Sequence, residues 1–216
     1  MPCWPRPAIV RALVAALVVL PACASAPRAG PLTGIPTLRR LPVTVLPEGH
    51  RRVIFRWEYQ ERLGSGRGDG VARIAPPDSV RIDLFLDNGS YGGFVILIAD
   101  SIVATAQDEV RRSLPPGPLL WASLGVVRVQ AADTTVLLDG DTLRAQIGVD
   151  PAWRAAFSSS AFVRLERIVR GRVEQTVERT DSTRVVYRQP GTGRSLVLTL
   201  RQAIREAAFD ASIWRP

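Results

Sequence analysis

The chain is poor in the residues that most often carry protein chemistry. It has 2 cysteines and 1 histidine, and every basic residue is arginine. Cys3 lies in a predicted export signal and Cys23 lies at its end, so no thiol remains in the rest of the chain. The sequence therefore excludes a disulfide, a thiolate metal site and a cysteine nucleophile in the folded part.

The other residue types give no catalytic pattern. His50 stands beside Arg51 and is expected at a loop edge, in solvent. Serines 158–160 have no histidine partner to act as their base, since His50 is the only histidine in the sequence. Residues 64–70 are rich in glycine, but no lysine follows them, as a phosphate-binding loop would require. We therefore expect neither an enzyme, nor a metal site, nor a cofactor.

Charge gives a weaker indication of partners. The formal net charge is +8, and the arginines are scattered along the chain rather than clustered. Scattered arginines argue against nucleic acid, whereas a basic balance favours anionic lipid headgroups or acidic polymers of a cell envelope.

The N-terminus has the order of regions found in secretory signals. Arg6 and Arg11 precede an apolar run from residue 12 to 20, and small residues follow it. The run is far shorter than the ~20 residues that span a bilayer. We therefore predict that residues 1–22 are an export signal and not a transmembrane helix.

A cysteine follows the small residues at the predicted cleavage point. The stretch Leu20-Pro21-Ala22-Cys23 resembles the bacterial lipobox, in which the cysteine sulfur receives a diacylglyceryl group. The resemblance implies a lipoprotein anchored through Cys23. Ala24 is not the aspartate that retains lipoproteins in the inner membrane, so we expect the periplasmic face of the outer membrane. The alternative is an ordinary signal cut at Ala22 or Ala26.

Proline and glycine then dominate up to residue 50. We predict a tether over residues 23–50 that spaces a folded domain, residues 51–216, from the membrane. The prolines are Pro27, Pro31, Pro36, Pro42 and Pro47.

Beyond residue 50, short segments of alternating apolar and polar residues are separated by turn signals, which is typical of antiparallel strands. We place glycines 64–70 in a loose turn, and short helices at 108–114, 119–124 and after Asp150, where Trp153 and Phe157 would share a face. The predicted strands are 53–60, 71–75, 80–86, 94–99, 101–106, 126–129, 135–138, 142–147, 162–169, 173–179, 184–188 and 195–200, with 209–214 as a further candidate.

These patterns predict a mainly β (α+β) fold. We expect a large curved antiparallel sheet or an unclosed β-barrel of about eleven strands, with short helices covering its concave face. The apolar side chains of that face and of its cover are the candidate lining of a lipid-binding cavity. They are Phe55, Trp57, Tyr59, Val80, Ile82, Leu84, Leu86, Leu120, Trp121, Leu196 and Leu198.

The lipobox, the Pro-rich linker, the opening strand with Phe55 and Trp57, and the helix after the fifth strand together resemble the LolA/LolB-like lipoprotein carriers. The resemblance implies an unclosed barrel around a hydrophobic cavity that holds an acyl chain of a lipid or lipoprotein, and a role in outer-membrane lipid or lipoprotein transport. The long helix that usually precedes the first strand has no clear counterpart here. Tyr91 is the nearest counterpart of the exposed apolar loop residue that LolB-type receptors insert into membranes.

A second function remains open at the level of sequence. The late strands carry several arginines, which would suit a structural or assembly lipoprotein that binds a protein partner or an acidic envelope polymer through its outer face. These arginines are at positions 164, 167, 170, 172 and 179.

Overall fold

A computed structural model describes residues 25–106, 110–111, 114–130 and 133–215. Cys23 and the predicted export signal lie outside the described residues. The strands are β1 (Ile35–Pro36), β2 (His50–Glu61), β3 (Gly64–Ala75), β4 (Ser79–Leu86), β5 (Tyr91–Ile98), β6 (Ser101–Ala106), β7 (Thr134–Asp139), β8 (Thr142–Ile147), β9 (Ala152–Ser158), β10 (Ala161–Val169), β11 (Arg172–Arg179), β12 (Arg184–Gln189) and β13 (Arg194–Glu206).

Helical structure is sparse in the described part of the chain. Helix α1 (Gly117–Ser123) is preceded by two helical residues at 110–111, and two 3-10 turns occupy Pro190–Thr192 and Ala211–Trp214. Pro118 lies in the first turn of α1, where its missing N–H costs no hydrogen bond. Leu119 to Ser123 are buried, so α1 packs on the sheet along most of its length.

All of the described strands belong to one antiparallel sheet of 13 strands. Its order is β1-β7-β8-β9-β10-β11-β12-β13-β2-β3-β4-β5-β6, so β1 and β6 lie at opposite edges. The expectation of a mainly β fold with one large unclosed antiparallel sheet is confirmed. The strand number exceeds the expected eleven. Of the helix predicted at 108–114, residues 108–109 and 112–113 lie outside the described residues, and residues 110–111 are helical.

The pairing of β13 with β2 joins the two halves of the sheet. It runs from Ser195 opposite Gln60 to Glu206 opposite His50, with a register shift between Leu200 and Gln202. The other long-strand pairings join strands that follow one another along the chain. The two halves, β2–β6 and β7–β13, thus form one continuous curved surface through this single ladder.

The core lies between the concave face of the sheet and α1. Phe55, Trp57 and Tyr59 alternate along β2 and are buried in this core, as the period of two requires. Leu119, Leu120 and Trp121 of α1 pack against them from the other side. A small second cluster on the outer face joins Ala152, Ile168 and Val173.

The glycines of residues 64–70 form a strand and not the predicted loose turn. Gly68 and Gly70 lie in β3 opposite Trp57 and Phe55 of β2. A Cβ atom on Gly70 would lie 2.2 Å from the Phe55 ring, and one on Gly68 would lie 1.9 Å from the Phe85 carbonyl oxygen. These glycines are therefore in the strand because the aromatic rings of β2 lie across its backbone.

The helical turn predicted after Asp150 is also wrong. Residues 152–158 form β9, which pairs with β8 on one side and β10 on the other. Phe157 is buried and Trp153 is half-buried against the same core, because a spacing of four residues puts side chains on one face of a strand as well as of a helix. Because residues 152–158 pair with a strand on each side, they form a strand and not a helix.

Two other predicted strands are absent. Residues 126–130 have no regular structure, because Val126 donates its N–H to the carbonyl oxygen of Trp121 at the end of α1 and Val127 donates to Thr44 Oγ1. The candidate strand at 209–214 contains a 3-10 turn instead, in which Asp210 accepts a hydrogen bond from the Ser212 N–H.

The described part of the predicted tether, residues 25–49, lies along the domain. Val173 donates its N–H to the carbonyl oxygen of Pro27, and Ala29 donates to that of Gly171. Ile35 and Pro36 add β1 to the edge of β7, and Leu46 is buried in the main core. The boundaries predicted at residues 23 and 51 remain predictions, and these contacts attach the segment to the domain at several points along its length.

We expect Gly68→Ala to destabilise the fold by roughly 1–3 kcal/mol, the usual cost of overpacking, because the added methyl group meets a backbone carbonyl that cannot rotate away. Gly64→Ala is the matched control, since nothing lies within 4 Å of its Cβ position in the same strand. Urea unfolding followed by tryptophan fluorescence measures both variants. Equal free energies of unfolding would contradict this account of β3.

We expect Leu46→Ala to cost about 2–5 kcal/mol of stability, because it opens a cavity in the core. The neighbouring Val45 is the control: its side chain is 70% exposed, whereas Leu46 is 3% exposed. Val45→Ala should change the free energy of unfolding by less than about 0.5 kcal/mol. If the two variants unfold alike, the N-terminal segment does not belong to the cooperative domain.

Candidate functional site

A cavity of about 250 Å³ lies between the concave face of the sheet and its cover. Strands β2, β3, β4, β12 and β13 form the floor, and α1 with the residues beside it forms the roof. The apolar lining residues are Pro47, Val53, Phe55, Trp57, Ala72, Ile74, Ile82, Leu84, Leu114, Pro115, Leu120, Leu124, Val185, Leu196, Leu198, Leu200 and Ala203. Polar lining comes from Arg51, Ser123, Arg179, Ser182 and Thr183.

The ladder between β2 and β13 builds the centre of the cavity floor. Trp57 pairs with Leu198 and Phe55 with Leu200, so four large apolar side chains project from two adjacent strands onto one face. The Trp57 Nε1–H donates to the carbonyl oxygens of Asp69 and Phe85, both at 3.2 Å. Because its polar atom is satisfied within the sheet, the indole contributes an apolar wall.

The structure brings seven of the eleven predicted cavity residues together in the lining. These are Phe55, Trp57, Ile82, Leu84, Leu120, Leu196 and Leu198. Val80 and Trp121 are buried in the same core without reaching the cavity. Tyr59 and Leu86 lie at the other end of their strands, where they line a shallower and more polar depression.

Sequence reasoning missed the polar residues at the cavity. Arg51 is two residues before Val53 and four before Phe55. Because alternate side chains of a strand share a face, the sequence contained enough information to predict Arg51 on the concave face. Arg179 follows the fully buried Val177 at the same spacing in β11. The sequence pattern groups Arg179 with outward-facing arginines, because the elements around it are distant in sequence.

Arg179 is the arginine at the cavity whose guanidinium group is partly desolvated. Burial lowers the pKa of its guanidinium group from the ordinary value. Its Nη2 donates to the carbonyl oxygen of Ser123, at the end of α1, over 3.4 Å. Among the residues that the structure describes, no carboxylate forms a salt bridge with Arg179.

The same part of the chain offers no other obvious chemical centre. No group of three or more histidine, cysteine, aspartate or glutamate side chains in the described ranges could hold a metal ion. None of the helices found there combines the length and the apolar character that crossing a membrane requires.

Solved structures with the same architecture identify the fold. A LolA superfamily protein from Nitrosomonas europaea aligns with a TM-score of 0.52 at 10% identity, over 80% of this chain and 92% of that one. A domain described as an outer membrane lipoprotein-sorting protein, from Vibrio parahaemolyticus, aligns with a TM-score of 0.54 at 9% identity, over 77% and 89%. The chain has a LolA/LolB-like fold. No protein-family model and no curated protein matches the sequence.

The structure places Tyr91 on the sheet and not in a protruding loop. Tyr91 is the first residue of β5, and its side chain is 46% exposed. Its hydroxyl donates to Asp83 Oδ1 at 3.0 Å, and its ring centroid lies 5.6 Å from that of Phe85. These contacts hold the ring against the outer surface of the sheet.

The late-strand arginines are divided among different surroundings. Arg164 and Arg167 form salt bridges with Glu166 and Glu174, at 2.6 and 3.0 Å. Arg172 donates to the carbonyl oxygen of Ala26 in the N-terminal segment. Arg170 lies in the turn between β10 and β11, and Arg179 lies at the cavity. They therefore do not form one basic surface for an acidic polymer.

Proposed function

We propose that this protein binds one acyl chain, of a lipid or of a lipoprotein, in the cavity between the sheet and α1. The observation that carries the proposal is the continuous apolar lining of this cavity, which draws on five strands and the helical cover. Each buried methylene group of a ligand would contribute about 0.8 kcal/mol of binding free energy. The LolA/LolB-like fold supports the same reading.

The volume favours a single chain. The cavity measures about 250 Å³, below the roughly 300–1,000 Å³ typical of pockets that take drug-sized ligands. One extended chain fits such a space better than the several chains of a complete membrane lipid. The remaining chains or the rest of the ligand would then lie outside the cavity.

We propose that the protein holds its ligand without a cofactor and without chemical conversion. The described residues that line the cavity contribute arginine and hydroxyl groups, but no carboxylate, imidazole or thiol. Such a set can bind and orient a lipid but offers no general base at neutral pH.

We further propose that the protein is a lipoprotein of the cell envelope, attached through Cys23 to the periplasmic face of the outer membrane. The lipobox-like stretch before Cys23 supports the anchor. The similarity to an outer membrane lipoprotein-sorting domain supports the compartment. Lipid or lipoprotein transport is the role that best suits an anchored carrier of this kind.

Native mass spectrometry tests the acyl-chain proposal. The chain from residue 23 onward, with Cys23→Ser, retains every residue of the described packing and should copurify with lipid or take up the apolar dye Nile red. Leu198→Trp should reduce dye binding at least about tenfold, because the larger ring occupies the cavity floor.

Val197→Trp is the matched control for this variant. Val197 is the preceding residue in β13, lies on the opposite face of the sheet and does not line the cavity. The Val197→Trp variant should leave dye binding unchanged. A lipid-free protein that also fails to bind Nile red, or two variants with equal effects, would count against the proposed cavity ligand.

The anchor has its own test. We expect the full-length protein to enter the detergent phase on Triton X-114 partitioning, and Cys23→Ser to lose its acyl groups and be either retained uncleaved or released in soluble form. Mass spectrometry of the N-terminal peptide identifies the modified sulfur. If wild type and variant start at the same residue beyond Cys23 and partition alike, the chain is exported without an anchor.

A further inference from the structure

The arginines of the two sheet faces have different surroundings. On the outer face and along the sheet edges, acidic partners are close: Arg52 contacts Glu206 at 2.9 Å, and Arg81 contacts Asp83 at 3.0 Å. Asp83 also pairs with Arg73. Ten arginines of the described residues form ion pairs of this kind, whereas Arg154 and Arg172 donate to neutral oxygens.

Three arginines near the cavity lack such partners. Arg51 and Arg179 line the cavity, and Arg205 lies directly opposite Arg51 in the ladder between β2 and β13. Within the residues that the structure describes, none of the three forms a salt bridge. The Arg51 Nε donates only to the backbone carbonyl oxygen of Glu48, over 3.5 Å. Like charges at directly opposite strand positions repel, so the pairing of Arg51 with Arg205 destabilises this part of the sheet.

The strand register places the three arginines at one end of the cavity. The ladder between β12 and β13 ends at Arg184 opposite Thr199, and β13 continues from there with β2 alone as far as Glu206. Leu200 donates its N–H to the carbonyl oxygen of Thr183, in the turn that follows Arg179. This turn therefore lies beside the extension that carries Arg51 and Arg205.

The guanidinium of Arg179 has free capacity to bind an anion. A guanidinium has five N–H donors, and the contact with Ser123 uses one of them. The group is also partly removed from water, which strengthens a charge-assisted hydrogen bond. Ser182, which lines the same end, supplies a hydroxyl group. The hydroxyl of Thr183 donates to Asp181 Oδ1 at 2.7 Å.

We propose that the cavity takes a single-chain anionic amphiphile, whose carboxylate or phosphate binds Arg179 and Arg51 while its chain occupies the apolar floor. Arg205 adds positive potential at the mouth. This inference rests on the proposed acyl-chain function and adds the chemistry of the head group. An anionic head relieves the repulsion between Arg51 and Arg205 and partners the desolvated Arg179, which a neutral head cannot do.

Three ligands of equal chain length test the head group: hexadecanoic acid, hexadecyl phosphate and hexadecanol, each displacing Nile red below its aggregation concentration. The protein is the chain from residue 23 onward with Cys23→Ser. We expect the acid or the phosphate to bind at least about tenfold more tightly than the alcohol. The tighter of the two anions identifies a carboxylate or a phosphate as the preferred head.

Arg179→Gln should remove most of the preference for the anion and leave alcohol binding within about threefold. Arg51→Gln is a second, independent variant with the same expectation, should Arg179→Gln fail to fold. Arg188→Gln is the control, because Arg188 pairs with Glu178 at 3.5 Å on the outer face. It should keep the full preference.

The outcomes separate this inference from the proposed function. If the wild-type protein binds the acid, the phosphate and the alcohol equally well, the anionic head group is wrong and the acyl-chain function stands. If none of the three displaces the dye and no lipid copurifies, the acyl-chain function itself fails. A preference for the anion that both arginine variants retain would also overturn the assignment of the head-group site.

Discussion

The structure depends most on the pairing of β2 with β13. This ladder is the long-strand contact that joins the first half of the sheet to the second, and its register puts Trp57 beside Leu198 and Phe55 beside Leu200. Because the two strands lie far apart in sequence, the ladder forms only when the whole chain is in place. The apolar cavity has its floor on this ladder, so the site depends on the complete fold.

Glycine in β3 makes this arrangement possible. Large aromatic side chains on one strand usually stand beside those of the next strand, but here they lie across Gly68 and Gly70. The sheet thereby gains two broad apolar surfaces at its centre without losing backbone pairing. A glycine-rich strand is ordinarily a weak one, and the aromatic packing offsets that weakness.

Charge is distributed in a way that suits a lipid site. Several outer-face arginines pair with acids, whereas Arg51 and Arg179 face an apolar cavity without a salt bridge among the described residues. In the function we propose, burial of the chain on the apolar floor would supply affinity, and the arginines at the basic end of the cavity would select the head group.

The sequence by itself determined most of the strand segments and the apolar face, because alternation and composition are local properties. It also predicted seven of the residues that line the cavity. Only the tertiary structure decided that glycines 64–70 form a strand, that residues 152–158 pair on both sides, and that Leu46 enters the core. It alone brought Arg51 and Arg179 to one end of the cavity, since contacts between distant segments depend on register and packing, which no local pattern contains.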